Sequence, residues 1–331
     1  VTAVQIFDNK QETHNPTAYV LAFWLTLMAA LAFWISRRYL EGGRIATLAR
    51  GTRRSREVEA HRGQLFLIYG FFGFVIALSL LPHLGVILAS FADDWTNRLL
   101  PAWTLENYQR VFGDQAGLAA ASIKISLLCA ALSMTIDIIA GFALAYALVR
   151  GQVWGRALLD TIAMLPLALP GLILAFGLLT GYINTPLNPI VNSIPLLVIS
   201  YAIRRLPYAL RAVSAGLQQM SVTLEEASLN LGATPLQTVW SVTRPLVMVN
   251  LLAAGLLTFA FAVLEVSDSL VLAVDGQTVP IAKAIYQLSL MTSGGIFLAC
   301  ALGVIGMLLL TITFLLANRL IGKQLGALFR A

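Results

Sequence analysis

The chain has 331 residues, of which 58% are hydrophobic and only 11% are charged, and its mean hydropathy is +0.81. This composition excludes an ordinary soluble domain and is typical of a protein that crosses a membrane several times. The net charge of +6 comes from cations that flank apolar segments, with no aromatic platform or basic face beside them, so nucleic acid is not an expected partner.

Seven apolar segments are each long enough to cross a membrane as a helix, which takes roughly 20 residues for about 30 Å of hydrocarbon. A helix satisfies its own backbone in lipid, so we predict an all-α integral membrane protein with about seven transmembrane helices. The predicted spans lie near 17–36, 65–91, 118–148, 157–182, 191–213, 246–266 and 295–317. The third is overlong, which indicates a tilted helix or a short amphipathic lead-in.

The first part of the chain combines an apolar segment with a basic one. Residues 1–36 are predicted to hold an N-terminal transmembrane helix, and residues 37–64 form a linker with eight arginines and three glutamates. Cytoplasmic loops retain Lys and Arg, so this linker should face the cytoplasm and attract anionic membrane lipid. Residues 65–115 are assigned to a transmembrane helix with an external segment, and residues 116–325 to the main transmembrane domain.

The remaining loops follow from alternation across the membrane. The N-terminus of the chain is expected outside and the C-terminal tail in the cytoplasm. Segments 92–117, 183–190 and 267–294 are then external, while the turn with Arg150 and Arg156 is cytoplasmic. Arg204, Arg205 and Arg211 are predicted to end the fifth span at the cytoplasmic interface.

Asp137 lies near the middle of the third span, where an ionisable side chain is costly enough to suggest a function. The alternative is a buried carboxyl that is hydrogen-bonded or protonated and faces a neighbouring helix. Pro166 and Pro170 fall inside the fourth span and predict a kink, either beside a transport pathway or as a plain helix bend.

Glu265 and Asp268 come at the outer end of the sixth span. They either line an external mouth that selects for positive charge, or cap a break before the loop that contains Gly276 and Pro280. Together with Asp137, Pro166 and Pro170 they are the candidate pathway residues.

No sequence pattern indicates a catalytic, metal or cofactor site. Cys129 and Cys300 lie in apolar spans, and the histidines are scattered over different loops and span ends. Phosphate-binding glycine loops, nucleophile elbows and zinc-ligand spacings are absent from the sequence, so we expect any ATP to bind on another subunit.

The polar segment 222–245 between the fifth and sixth spans predicts a helix, a turn and a second helix. Ser221 or Thr223 can cap the first helix, whose first turn carries Glu225 and Glu226. Gly232 permits the backbone turn, and Thr234 with Pro235 suits the start of the second helix. An apolar stripe on this hairpin predicts a surface that docks against a protein; it consists of Leu231, Leu236, Val239, Trp240 and Val242.

The hairpin resembles a family motif of Glu-Ala-Ala, three residues, Gly, nine residues, then Ile-x-Leu-Pro. Every spacing agrees, and the matching positions are Glu226, Ala227, Ser228, Gly232, Val242, Arg244 and Pro245. Only Ser228 and Arg244 depart in type from the family's small and apolar residues. This is the EAA loop, and the chain resembles the type I membrane subunit of binding-protein-dependent ABC importers.

Weaker similarities extend over residues 100–325. They include Trp103–Tyr108, Leu165–Gly171 and Arg205–Pro207. The segments Glu265–Leu270 and Thr278–Ile285 resemble permeases grouped with ferric iron, and more loosely with spermidine, putrescine, thiamine or phosphonate uptake. Some ferric-type permeases fuse two halves in one polypeptide, so residues 1–36 are either the tail of a preceding half or an extra helix.

The resemblance implies a multi-pass permease of the bacterial inner membrane that is not itself an enzyme. Its implied partners are a cytoplasmic ATPase dimer, which carries ATP and Mg, a periplasmic solute-binding protein and a second permease half, identical, fused or separate. Glu226 would anchor the hairpin in a groove of the ATPase and Gly232 would turn it.

The alternative function is an ion-coupled secondary transporter with Asp137 as the coupling carboxylate. Such transporters carry corresponding broken helices in two halves, and the sequence shows no such pair.

Overall fold

The computed structural model describes residues 20–21, 23–32, 35, 61–95, 101–113, 117–151, 154–291 and 294–328. The predicted N-terminal span 17–36 is therefore described only in part. Most of the predicted linker 37–64 lies outside the described residues.

The described chain is helical almost throughout. The helices are α1 (Phe23–Ala32), α2 (Arg62–Ser90), α3 (Glu106–Phe112), α4 (Gly117–Val149), α5 (Arg156–Ala168), α6 (Gly171–Tyr182), α7 (Ser193–Gln219), α8 (Val222–Asn230), α9 (Pro235–Thr238), α10 (Arg244–Leu246), α11 (Met248–Val263), α12 (Ser267–Leu272), α13 (Ile281–Ser289) and α14 (Gly295–Leu328). A π-helical turn, Val239–Thr243, joins α9 to α10. Within the described ranges there is no strand, only an isolated bridge between Ala92 and Trp103. The predicted all-α class is confirmed.

Fewer helices qualify as membrane spans than the sequence predicts. Three do so alone, namely Arg62–Ser90, Ala119–Val149 and Gly295–Leu316. Two bent pairs qualify jointly: α5 with α6, bent by 104°, and Pro235–Leu246 with α11, bent by 72°. The described residues thus contain three spans, or up to five if each bent pair counts as one.

The fourth and fifth predicted spans need correction. The fourth, 157–182, is not one helix, because the chain turns sharply at Leu169 and Pro170 between α5 and α6. The fifth, 191–213, does form a helix, but α7 continues to Gln219 and its arginines make it too polar to qualify as a span by composition. Arg204 and Arg205 therefore lie in the middle of a helix and not at its cytoplasmic end.

The third predicted span is a single unbroken helix of 33 residues, so it has no separate lead-in. At 1.5 Å per residue, α4 extends about 50 Å, well beyond the thickness of the hydrocarbon. It packs along α7 and α11, which themselves cross each other.

Two apolar clusters of the core both involve α4, α7 and α11. One includes Leu196, Leu197 and Tyr201 of α7, and the other includes Leu210 and Leu217 of the same helix. Small residues allow this close approach: a Cβ on Gly141 of α4 would lie 2.8 Å from the Cβ of Ala209. α7 is therefore the central helix of the core.

Polar contacts show which loops lie together at each of the two ends of the helix bundle. At one end the Ser193 backbone N–H donates to Asp275 at 3.1 Å, and the Ile281 N–H donates to Ser126 at 2.8 Å. At the other end Arg150 donates to the carbonyl oxygens of Leu217 and Met220. This grouping is the one that the predicted alternation of loops requires.

Candidate functional site

The segment that follows α7 folds as the predicted hairpin. Ser221 caps α8, accepting a hydrogen bond from the Thr223 N–H at 3.3 Å. Gly232 then adopts a φ of 92°, a left-handed conformation that costs an L side chain about 1–2 kcal/mol. Thr234 and Gln237 form a reciprocal capping box at the start of α9, with Pro235 in its first turn. The predicted helix, glycine turn and helix are confirmed.

Glu225 fixes the hairpin to the helix bundle. Its carboxylate lies 2.8 Å from Nε of Arg150 and accepts a hydrogen bond from the Thr243 hydroxyl at 2.6 Å. Both charged side chains are largely buried, and Arg150 also binds the end of α7. One ion pair therefore ties together the ends of α4 and α7 and both arms of the hairpin.

The remaining motif residues lie around this anchor. Glu226 and Ala227 are exposed, and so is Pro245. The Ser228 hydroxyl lies 3.0 Å from the Thr238 hydroxyl, so it links the two arms, and Val242 is half-buried. The acidic pair thus divides: Glu225 points into the protein and Glu226 out of it.

Apolar side chains crowd the tip of the hairpin. Leu231 is 90% exposed, Leu236 67% and Trp240 56%. The Arg244 guanidinium lies over the Trp240 ring at 4.8 Å from its centroid. Exposed apolar side chains clustered on a rigid hairpin are typical of a surface that binds another protein.

A second polar cluster lies inside the bundle, where α7 meets the break between α11 and α12. Nη1 of Arg204 is 3.0 Å from Glu265 and 3.1 Å from Asp268, and Arg205 pairs with the other oxygen of Glu265. Asp268 is fully buried and also accepts a hydrogen bond from Ser200 at 2.9 Å. We call Arg204, Arg205, Glu265 and Asp268 the ion cluster.

The ion cluster decides between the two sequence interpretations of Glu265 and Asp268. These carboxylates are buried against arginines, so they do not form an exposed external mouth. Glu265 also accepts from the backbone N–H groups of Ser267 and Asp268, at 3.1 and 3.4 Å, and so caps α12. The capping interpretation holds for Glu265, with two arginine partners that sequence analysis missed.

A signal for those partners was present in the sequence. Two adjacent arginines inside a helix of the transmembrane domain require buried acids to compensate them. The sequence prediction placed both arginines at the cytoplasmic interface, where water solvates the charge and no acidic partner is needed.

A cavity of about 400 Å³ lies beside the ion cluster. Its walls are Pro166, Leu167, Arg204, Arg205, Tyr208, Phe261, Leu264, Glu265, Val266 and Ser267. Three of the proposed pathway positions thus meet here, because Pro166 and Glu265 line the cavity and Asp268 pairs with Arg204. Pro170 stands at the break before α6 and caps that helix.

The two helix breaks touch each other at Gly171. A Cβ there would lie 1.9 Å from Nη1 of Arg204 and 2.8 Å from the Cβ of Ser267. Only glycine therefore fits between the ion cluster and α12. No pattern in the sequence predicts this contact between two broken helices.

Asp137 is fully buried on α4, and neither carboxylate oxygen has a hydrogen-bond partner in the described structure. Its burial agrees with the alternative of a buried carboxyl, and among the described residues that carboxyl is not hydrogen-bonded. Arg205 is the charged group that interacts with it, and Nε of Arg205 is itself buried without a partner among the described residues. Asp137 therefore lies near the ion cluster but is not a member of it.

The described residues include no group of three His, Cys, Asp or Glu side chains that could hold a metal ion. Cys129 is buried and Cys300 half-buried, and both are free thiols.

Comparison with known families gives a match over more than half of the chain. Residues 137–322 match the family described as binding-protein-dependent transport system inner membrane component.

Three curated relatives are similar in sequence. The ferric transport system permease protein FbpB of Actinobacillus pleuropneumoniae is 25% identical over 80% of this chain, and the putative FbpB 1 of Haemophilus influenzae is 29% identical over 75%. The chain spans 38% of the length of each of these two. The trehalose/maltose transport system permease protein MalG of Thermococcus litoralis is 27% identical over 63% of this chain and 77% of its own length.

Solved structures share the fold. A bacterial ABC transporter for the import of alginate superposes with a TM-score of 0.59 at 17% identity, over 78% of this chain and 96% of its own. The alginate transporter in complex with a periplasmic protein bound to an alginate pentasaccharide gives 0.61 at 19% identity, over 77% and 93%.

Proposed function

Because the chain belongs to the family of binding-protein-dependent transport system inner membrane components, we propose that it is the permease subunit of an ATP-driven importer. It would pass a small solute across the bacterial inner membrane. A family of membrane permeases is not a family of enzymes, so the chain itself catalyses no reaction in this proposal.

The proposed assembly has four kinds of part. A periplasmic binding protein delivers the solute, this chain and a second permease half enclose the pathway, and a cytoplasmic ATPase dimer binds ATP and Mg. The second half is identical, fused or separate. The solved alginate transporter with its periplasmic protein supports the first of these contacts by analogy of fold.

The observation that carries the proposal is the anchored hairpin. Its tip presents Leu231, Leu236 and Trp240 to solvent, while Glu225 and Thr243 hold its base to Arg150. A surface that is both apolar and rigidly held can transmit movement of a bound ATPase to the helices, which a flexible loop does not. Glu226, exposed beside this surface, would contact the ATPase.

A run of helices, interrupted only by a 72° bend at Val247, leads from the hairpin to the cavity. The π-turn and α10 follow α9 directly, and α11 begins after a single residue, Val247. α11 carries Phe261 to the cavity wall and ends next to Glu265. Displacement of the hairpin would therefore act on the break that holds the ion cluster, which we propose lines the transport pathway together with Pro166 and Pro170.

Ferric iron is the proposed substrate class. The support is the similarity to two ferric transport permeases over three quarters or more of this chain. The buried cluster balances two arginines with two carboxylates, so the selectivity of uptake would lie mainly in the binding protein.

The test is co-purification of the detergent-solubilised chain with its candidate ATPase, followed by ATP hydrolysis in liposomes with the binding protein. Gly232→Ala strains the left-handed turn, and Glu226→Ala removes the exposed acid. Both are expected to lower ATPase association and stimulated hydrolysis at least about tenfold, the effect of roughly 1.4 kcal/mol.

Glu106→Ala is the matched control, since this exposed glutamate lies on α3, away from the hairpin. It should leave association unchanged. Transport that runs on an ion gradient without ATP, or a wild-type chain that binds no ATPase, would show that the proposal is wrong.

A further inference from the structure

A second cavity lies at the hairpin end of the bundle, apart from the ion cluster. It measures about 360 Å³ and lies between the end of α4, the start of α5 and the last turns of α7. Its walls include Arg156, Asp160, Arg211, Ser214 and Gln218. Nothing in the proposed transport mechanism uses it.

The start of α5 faces this cavity without a cap. Its N-cap is Gly155, at a φ of 75°, and no side chain of a described residue caps the helix with a hydrogen bond. Free N–H groups and the helix dipole favour an anion at this position. Arg156, the first residue of α5, is a cation where the dipole disfavours one, and it makes no ion pair to a described residue.

Two further donors converge on the same space from α7. Arg211 pairs with Asp160 at 3.0 Å, but its side chain remains 56% exposed. Ser214 is only 7% exposed, lines the cavity, and makes no hydrogen bond to any residue that the structure describes. Its hydroxyl, which lines the cavity, can therefore donate a hydrogen bond to a bound oxyanion.

The surroundings indicate where such an anion comes from. Trp154, one residue before the N-cap, is 96% exposed, and the apolar side chains Leu158 and Ile162 of α5 are 62% and 56% exposed. Tryptophan is enriched at the headgroup level, with apolar residues toward the acyl chains. Leu148 and Val149 add an apolar wall to the cavity itself.

We propose that this cavity binds the phosphate of an anionic membrane phospholipid. The phosphate accepts from the first-turn N–H groups of α5, Arg156, Arg211 and Ser214, while the acyl chains lie along the exposed face of α5. Basic pockets between transmembrane helices bind such headgroups in other membrane proteins. Asp160 is the one acidic wall residue, and it weakens the site by repelling the phosphate and engaging Arg211.

The experiment is lipid binding to the purified 331-residue chain in detergent, measured by native mass spectrometry with phosphatidylglycerol and with phosphatidylcholine of the same acyl chains. Phosphatidylglycerol is expected to bind more tightly. Arg156→Gln and Arg211→Gln should each weaken it about fivefold, and Ser214→Ala about threefold, in line with the usual contribution of a cation near an anionic headgroup.

Asp160→Asn gives a prediction of the opposite sign, because it removes the competing carboxylate and should tighten phosphatidylglycerol binding. This gain does not arise from misfolding, so it separates the site from a general loss of stability. Lys124→Gln, an exposed lysine on α4 outside this cavity, is the charge-matched control and should leave binding unchanged.

Three outcomes would overturn the proposal. Equal binding of the two lipids would show that the cavity does not select an anionic headgroup, and an effect of Lys124→Gln as large as that of Arg156→Gln would show that the cavity is not a specific site. Inorganic phosphate or glycerol 3-phosphate that binds as tightly as phosphatidylglycerol would show that the ligand is a soluble phosphate and not a lipid.

Discussion

Glu225 and Glu226 are adjacent, identical in type and opposite in environment. Glu225 is 6% exposed and paired with Arg150, whereas Glu226 faces solvent. Removing one member of a buried pair leaves an uncompensated charge, which is far more costly than losing an exposed one.

We therefore predict that Glu225→Gln lowers the free energy of unfolding by about 3 kcal/mol, because Arg150 loses its counterion. Glu226→Gln should leave stability within about 0.5 kcal/mol of the wild type and reduce only ATPase association. Thermal unfolding in detergent and co-purification measure the two effects. Equal destabilisation by both variants would contradict the anchor assigned to Glu225.

Asp275 organises the loop between α12 and α13 at the other end of the bundle. Partial burial alone would raise the pKa of Asp275, but hydrogen bonds from Thr278, Ser193 and Gln277 outweigh it and hold that pKa below its ordinary value. A carboxylate with a lowered folded-state pKa stabilises the protein above the unfolded pKa of about 3.9 and loses that contribution as the pH falls through the folded value.

Asp275→Asn should therefore lower stability at pH 7 by about 1 kcal/mol, the usual net value of such hydrogen bonds. The difference from the wild type should shrink as the pH falls from about 4 through the lowered folded-state pKa, because the carboxyl of the unfolded chain is protonated first. Thermal unfolding at pH 7 and at pH 3.5 measures this change. A difference that does not depend on pH would contradict the charged hydrogen-bonded state.

At the scale of elements, the break between α5 and α6 is a bend in the chain and also a packing contact with Arg204 of α7. Pro170 precedes α6 and Gly171 begins it, which leaves space for the Arg204 guanidinium against the backbone. A Cβ at this position would lie 1.9 Å from Nη1 of Arg204, and the ion pairs with Glu265 and Asp268 restrain that guanidinium.

Gly171→Ala should consequently displace Arg204 from the ion cluster and cost about 1–3 kcal/mol, as overpacking of a core does. Gly181→Ala in the same helix is the control, because a Cβ there has nothing within 4 Å. That variant should be neutral or slightly stabilising, since alanine favours a helix more than glycine does. Unfolding curves give the free energy of unfolding of both variants. Equal stability of the two variants would mean that a methyl group fits beside Gly171.

At the scale of the whole molecule, the contacts place the hairpin and the Ser193–Asp275 contact at opposite ends of the bundle. Leu231 in the hairpin is 90% exposed, and Val191 beside Ser193 is 80% exposed. If the hairpin is cytoplasmic, these two side chains lie on different sides of the membrane.

We predict that a cysteine at Val191 reacts with a membrane-impermeant maleimide in cells whose inner membrane is intact. A cysteine at Leu231 should react only after that membrane is permeabilised. The half-buried native Cys300 and buried Cys129 are replaced by serine and alanine to provide the background. The reversed labelling pattern would show that the predicted topology is inverted, and the expected external position of the N-terminus would then be wrong as well.

The sequence by itself determined the features that depend on neighbouring residues. Hydropathy over about 20 residues identifies apolar helices, and capping residues with Gly232 and Pro235 specify the hairpin, since each acts within a few positions along the chain. These signals were sufficient to predict the all-α membrane class and the hairpin, and the resemblance of the hairpin to the EAA loop indicated the permease family.

Only the tertiary structure decided which charges meet. Arg205 and Glu265 are 60 positions apart, and Arg150 pairs with Glu225 only because α4 and α7 end side by side. Burial requires a partner for each charge but does not specify where along the chain that partner lies. The same reason explains why the ion cluster and the second cavity were missing from the sequence prediction: each is formed by residues from separate helices.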